Sequence, residues 1–229
     1  MENPYWPIFD LRIRTERVEL RLPSDDDLVV LARLAAKGIH DPSTMPFLKP
    51  WTDQPSPHLE RGLLQWGWRH RARWNANDWT FGCCVTVDGE IVGVQDLMAT
   101  NFATNREAKT GSWLGRAHQG QGIGKAMREA MLSFAFRDLD ASVLFSGGFP
   151  DNDSSLGVSG ALGYEEFGRS PSQRRGEPAE VVDMKLERSA WEARTHERVE
   201  VTGFENCRDF FIESPTSPTG ESFTSSSRG

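Results

Sequence analysis

From residue 15 to residue 22 apolar and polar positions alternate, with Val18, Leu20 and Leu22 on one face, which predicts a first strand ended by Pro23. Ser24 or Asp25 then caps a helix reaching about Lys37, with Leu28, Leu31, Leu34 and Ala35 as its apolar stripe and Gly38 as its stop. Periodicity is lost over residues 38–57. There the chain reads Ile39-His40-Asp41-Pro42, Met45-Pro46-Phe47 and Pro50-Trp51, the composition of an ordered but irregular loop. Helical spacing resumes over about 59–74, where Trp66, Trp68 and Trp74 are too many for one narrow stripe.

Residues 79–87 and 90–98 form two strand patterns around Asp88-Gly89, a two-residue hairpin turn. A further strand ends at Trp113-Leu114. A helix from Ile123 to about Arg137 has Ile123, Met127, Ala130, Met131 and Phe134 as its core face. A short apolar strand over 142–147, a short helix over about 154–162 and strands over 164–169 and 180–187 complete the pattern. This is a mixed α/β (α+β) order occupying residues 1–188. Residues 189–212 keep Val199, Val201, Phe204, Phe210 and Phe211 and are expected to dock as an extension. Residues 213–229 are rich in Ser, Thr, Pro and Gly and are expected to be a disordered tail.

Composition narrows the function. A hydrophobic fraction of 38% with eight tryptophans supports a sizeable core. The net charge of −7 argues against a general nucleic-acid binder, because neutralising phosphates needs excess Lys and Arg. No apolar run approaches the ~20 residues of a membrane span, and the N-terminus lacks a signal pattern, so a cytoplasmic protein is expected. Cys83, Cys84 and Cys207 have no C-x-x-C spacing, which argues against a disulfide framework or a zinc site, and they read as apolar fillers. No metal is expected.

The chemistry concentrates at residues 113–128, where Gly120, Gly122 and Gly124 follow a strand and precede a helix. Such a helix start presents bare backbone N–H groups to a phosphate. The spacing fails G-x-G-x-x-G, because position 125 is Lys125. It also fails G-x-x-x-x-G-K-[ST], because positions 119 and 126 are Gln119 and Ala126. It fits Q-x-x-G-x-G, as Gln119, Gly122 and Gly124. A glycine-rich turn can also open a helix that binds nothing.

With this loop the chain resembles the GNAT superfamily of N-acyltransferases. The run from Asn152 through Ser155 to Leu162-Gly163-Tyr164 is similar to the N-x-x-S…L-G-[FY] pattern of acyltransferases acting on ribosomal-protein N-termini. The H-D-P…M-P-F…P-W loop, the S-W-L-G strand end and Gly203-Phe204…Cys207-Arg208 resemble actinobacterial members, some associated with succinyl transfer. The resemblance covers about residues 15–188. It implies a central splayed mixed β-sheet flanked by helices, and acyl transfer from acyl-CoA (acetyl-CoA or succinyl-CoA) to a primary amine. The amine belongs to a protein N-terminus, a lysine or a small molecule. A homodimer is compatible with it, though nothing in the sequence argues for one.

By the same resemblance, the backbone of Gln119, Gly120, Gln121, Gly122, Ile123, Gly124 and Lys125 holds the CoA pyrophosphate. Trp113, Leu114 and Gly115 line the pantetheine arm, with Asn152 and Ser155 opposite. Relatives with a tyrosine seven residues after the asparagine have Ser159 as their counterpart here. Ser155 is then the hydroxyl for the leaving thiol, or else part of the helix cap. For the base that takes the amine proton, Glu107, Asp96, His40 and Asp41 are candidates without a deciding spacing, and His40-Asp41, which opens the aromatic loop, is the preferred pair. Met45, Phe47, Trp51 and Trp79 line an acceptor pocket or form a hydrophobic cluster under the loop. The alternative to an enzyme is a non-catalytic acyl-CoA sensor of the same fold.

Overall fold

The computed structural model describes residues 3–212; the expected tail at 213–229 lies outside the described residues. In chain order the elements are β1 (Arg12–Arg14), β2 (Glu19–Arg21), α1 (Asp25–Ala36), α2 (His58–Ala72), β3 (Asp78–Val87) and β4 (Glu90–Thr100). There follow α3 (Phe102–Asn105), β5 (Glu107–Leu114), α4 (Ile123–Ser133), β6 (Val143–Gly148) and α5 (Asp153–Ala161). The long hairpin β7 (Glu165–Arg174) and β8 (Glu177–Glu187), then α6 (Arg188–Glu192) and β9 (Glu200–Thr202), complete it. One nine-stranded sheet runs in the order β7-β8-β6-β5-β4-β3-β2-β1-β9. Only β5 and β6 pair in parallel; every other neighbouring pair is antiparallel.

The sheet divides two apolar layers. Helices α1 and α2 cover one face, where Leu28, Leu31, Leu59 and Leu63 meet Cys84, Ile91 and Val94. Helix α4 covers the other, where Ile123, Met127, Ala130 and Met131 meet Phe81, Leu97 and Leu144. The capping signal before α1 is fulfilled: Ser24 accepts from the Asp27 N–H, and the Asp27 carboxylate accepts from the Ser24 N–H.

Several elements differ from the periodicity. Residues 15–18 form a turn, so the first predicted strand shrinks to β2, with β1 added before it. The helix expected to reach Arg137 ends at Ser133 and passes into a wide π-type turn, Phe134–Asp138. Strand β7 runs on to Arg174 through Pro171, tolerated because β7 is a sheet edge.

Residues 200–202 add β9 to the β1 edge, and Val199, Phe204, Cys207 and Phe211 enter the α4-side core. Trp79 is 3% exposed and stands in this aromatic cluster. Its ring stacks on Trp74 at 6.1 Å and its indole N–H donates to the Phe211 carbonyl. It therefore lies across the sheet from Phe47 and Trp51 and does not share a pocket with them. Phe211 is fully buried against Trp74, Trp79, Phe81 and Phe134. Phe211→Ala is expected to cost about 3–5 kcal/mol, measured by urea unfolding.

Candidate active site

Strands β5 and β6 pair at Glu107↔Val143, Ala108↔Leu144 and Lys109↔Phe145, and then part. β5 continues to Leu114 and β6 to Gly148 without pairing to each other, while β4 and β8 hold their outer edges. The result is a fork with its vertex at Lys109 and Phe145. Its prongs carry inward-facing backbone groups that the sheet does not satisfy.

At the open end of the fork lies the glycine loop. The Gln119 side-chain amide donates to the Ile39 carbonyl (2.6 Å) and the Leu114 carbonyl (2.8 Å), tying the loop to β5 and to the segment after α1. Arg17 donates to the Gln121 carbonyl at 2.7 Å. Gly122 has a φ of 77°, and a Cβ there would lie 2.9 Å from the Arg17 guanidinium. The N–H groups of residues 120–125 have no backbone partner among the described residues. They open α4, eleven residues long, with the free donors that suit an anion. Arg116 and Lys125 are exposed beside it.

On the α1–α2 side of the fork both prongs are bare, at Gly111 of β5 and Gly147 of β6. Asp96 of β4 stands next to Gly111, across the sheet register. A Cβ at Gly82 would overlap the Trp66 ring and lie 3.1 Å from Asp96 Oδ1, and one at Gly111 would lie 3.8 Å from Oδ2. Asp96 thus directs one buried, unpartnered oxygen toward Trp66 and the other toward the fork. Burial without a compensating cation pushes its carboxyl up to about 7. Across the fork, Asp183 lies beside Gly147 and accepts from the Ser170 hydroxyl.

On the α4 side the fork is backed by Arg128, only 2% exposed. Its guanidinium donates to Ser112 on β5 (2.9 Å), Ser146 on β6 (3.3 Å), Ser159 on α5 (3.4 Å) and Gln95 on β4 (3.4 Å). It spans the gap between the prongs.

A family profile described as Acetyltransferase (GNAT) domain matches residues 17–165. The chain belongs to the GNAT acetyltransferase family. It is accordingly an acyl-CoA-dependent N-acyltransferase. The fold is similar to that of Mycobacterium smegmatis RimJ in complex with CoA-disulfide (TM-score 0.64, 17% identity, 91% of this chain and 96% of that one). It is also similar to RimL, a ribosomal L7/L12 alpha-N-protein acetyltransferase in complex with coenzyme A (0.62, 18%, 76% and 95%). A SpeG spermidine N-acetyltransferase chimera from Vibrio cholerae and hSSAT has the same fold (0.62, 17%, 78% and 100%).

Within this GNAT frame the sequence candidates separate. Trp113, Leu114 and Gly115 form the end of one prong, and Gly115 packs against Leu34. Asn152 caps α5 by accepting from the Ser155 N–H at 3.2 Å. The cap falls to Asn152, and Ser155 turns toward Gly148 at the open end of β6. Glu107 sits at the closed end of the fork, opposite Val143. His40 has both ring nitrogens engaged, with the Asp41 carbonyl and the Thr52 hydroxyl, each at 2.8 Å. Asp41 accepts from the Ser43 hydroxyl and N–H, which hold its carboxyl below the ordinary value, as fits a loop brace.

Met45 is buried, while Phe47 packs between His40 and Trp51, and Trp51 reaches Trp113 at 5.9 Å. The loop therefore walls the fork from one side. From the other, Arg175 at the β7–β8 turn pairs with Asp53 at 2.8 Å and donates to the Pro42 carbonyl. Arg128, Arg17 and Arg175 were not singled out from sequence; an arginine among the buried positions of α4 was the available signal for the first.

Removing the Gln119 amide deletes two hydrogen bonds that shape the loop, each contributing about 1 kcal/mol. Gln119→Ala is expected to weaken acetyl-CoA binding roughly ten- to thirty-fold. Isothermal titration checks this, with thermal unfolding as the control for a global effect.

Proposed function

We propose that this enzyme transfers an acyl group from acyl-CoA, bound between β5 and β6, directly to a primary amine arriving on the α1–α2 face, with Asp96 as the general base. What carries this reading is Asp96 itself: a partly buried carboxylate, free of any cation, beside the bare Gly111 of the fork.

The N–H groups of residues 120–125, the helix start and nearby Lys125 suit a diphosphate. The unpaired edges of β5 and β6 suit an extended arm carrying its own amide groups, which can pair with both prongs as a strand would. An inward N–H of β5 would polarise the thioester carbonyl. Gly111 and Gly147 leave the sheet open, so an amine can approach the carbonyl without meeting a Cβ. Asp96 takes the amine proton, and the charge of Asp183 favours a cationic acceptor at the same face. No covalent acyl-enzyme is needed, since alignment of two bound reactants supplies much of the acceleration.

Of the candidate bases, Asp96 alone combines position at the open fork with a raised pKa. Glu107 lies at the vertex end, and His40 and Asp41 are committed to their loop. Acetyl and succinyl donors, N-terminal peptides and polyamines form the panel that assigns the substrates, read by free-thiol release. A general base must be deprotonated, so kcat/KM should rise with pH through about 7. Asp96→Asn is expected to lower kcat about 10²–10⁴-fold and abolish that limb, with acyl-CoA affinity retained. Full activity in Asp96→Asn, or absence of CoA binding to the wild-type protein, would overturn the reading.

A further inference from the structure

Arg128 carries a full charge into the interior and meets no carboxylate there. Its partners are Gln95, Ser112, Ser146, Ser159 and the Tyr164 hydroxyl, all neutral, and burial lowers its pKa from the ordinary arginine value. Tyr164, whose hydroxyl also lies 3.3 Å from Thr110, is the one titratable group among these partners, and burial pushes its phenol upward, so it stays neutral. Among the described residues no acidic side chain forms an ion pair with Arg128. An isolated ion in such a site is costly to desolvate, and well-packed apolar residues of similar volume are often as stable or more so. Structure alone therefore does not explain a guanidinium here.

Its position suggests what does. Arg128 follows the glycine loop on α4 by more than a helical turn, and it reaches Ser112 and Ser146 on the two prongs. A chain anchored by its diphosphate at residues 120–125 and laid along the fork brings its far end, the sulfur, toward this point. We propose that Arg128 is the counter-charge for the thiolate that leaves when the acyl group is transferred.

The amine nitrogen forms a bond to the thioester carbonyl carbon, and the C–S bond breaks with its electron pair going to sulfur. The amine gives its proton to Asp96. Sulfur departs as thiolate beside Arg128 and becomes a thiol by taking a proton from solvent, through the Ser155 hydroxyl at the open end. Arg128 donates hydrogen bonds and keeps its protons throughout. A positive charge placed this way favours the ionised sulfur. On the opposite face Asp96, Asp183, Lys109 and Lys185 also look toward the fork, so the thiol senses their sum as well.

This inference rests on the proposed binding of acyl-CoA, and the test separates the two. Free CoA and desulfo-CoA are titrated against the wild-type protein, Arg128→Met and Arg128→Lys. Thiolate absorbance of bound CoA is followed against pH. In wild type the bound thiol should ionise at least about one unit below free CoA, and CoA affinity should rise about tenfold across that range while desulfo-CoA affinity stays level. Arg128→Met should return the thiol to its free value while binding desulfo-CoA as before, and Arg128→Lys should restore much of the shift. The wild-type affinity series needs no variant to fold. A thiol that ionises at its free value in wild type, or equally in wild type and Arg128→Met, overturns the role of Arg128. Failure of the wild-type protein to bind either compound overturns the acyl-CoA reading instead.

Discussion

Everything in this site depends on two neighbouring strands abandoning each other. β5 and β6 keep three paired positions and then diverge, although each remains bonded to its outer neighbour. A continuous sheet would have no room for a ligand and no unsatisfied edge to offer it. The divergence leaves inward backbone groups of β5 and β6 unpaired by the sheet, free to bond a complementary extended chain. The fork suits a ligand because it is an incomplete sheet.

The two faces of the fork have opposite electrical characters. Behind it stands the guanidinium of Arg128, held by hydroxyls and an amide. In front are the carboxylates of Asp96 and Asp183 beside glycine-bare prongs. This polarity suits a reaction in which an amine loses a proton on one side while sulfur gains electrons on the other. Position on the strand fixes these assignments: Gln95 and Asp96 are consecutive residues and point to opposite faces.

Much of this was legible in the chain. The Asp88-Gly89 turn, the α1 cap and the Q-x-x-G-x-G loop are local signals, and local chemistry decides them. The splay and its loop followed from resemblance to the GNAT family. What stayed hidden was determined by contacts far apart in sequence. Asp96 was one of four candidate bases until the β4–β5 register set it beside Gly111. Trp79 looked like a neighbour of the aromatic loop, but strand alternation puts it on the opposite layer with Phe211, 132 residues away. Arg128 lies on a helix whose apolar stripe conceals that two ionisable residues, Arg128 and Glu129, are also buried. Strand β9 depends on pairing with β1 and has no pattern of its own strong enough to announce it.

The bridge between Arg175 and Asp53 joins residues 122 positions apart and links the β7–β8 turn to the aromatic loop. It converts a slot, open along its length, into an eyelet closed by a bar. Both side chains are more than a third exposed, so solvent screens the pair. Ions in the medium loosen it further. The β7–β8 turn is thus held to the aromatic loop by a clasp whose strength follows the ionic strength around it.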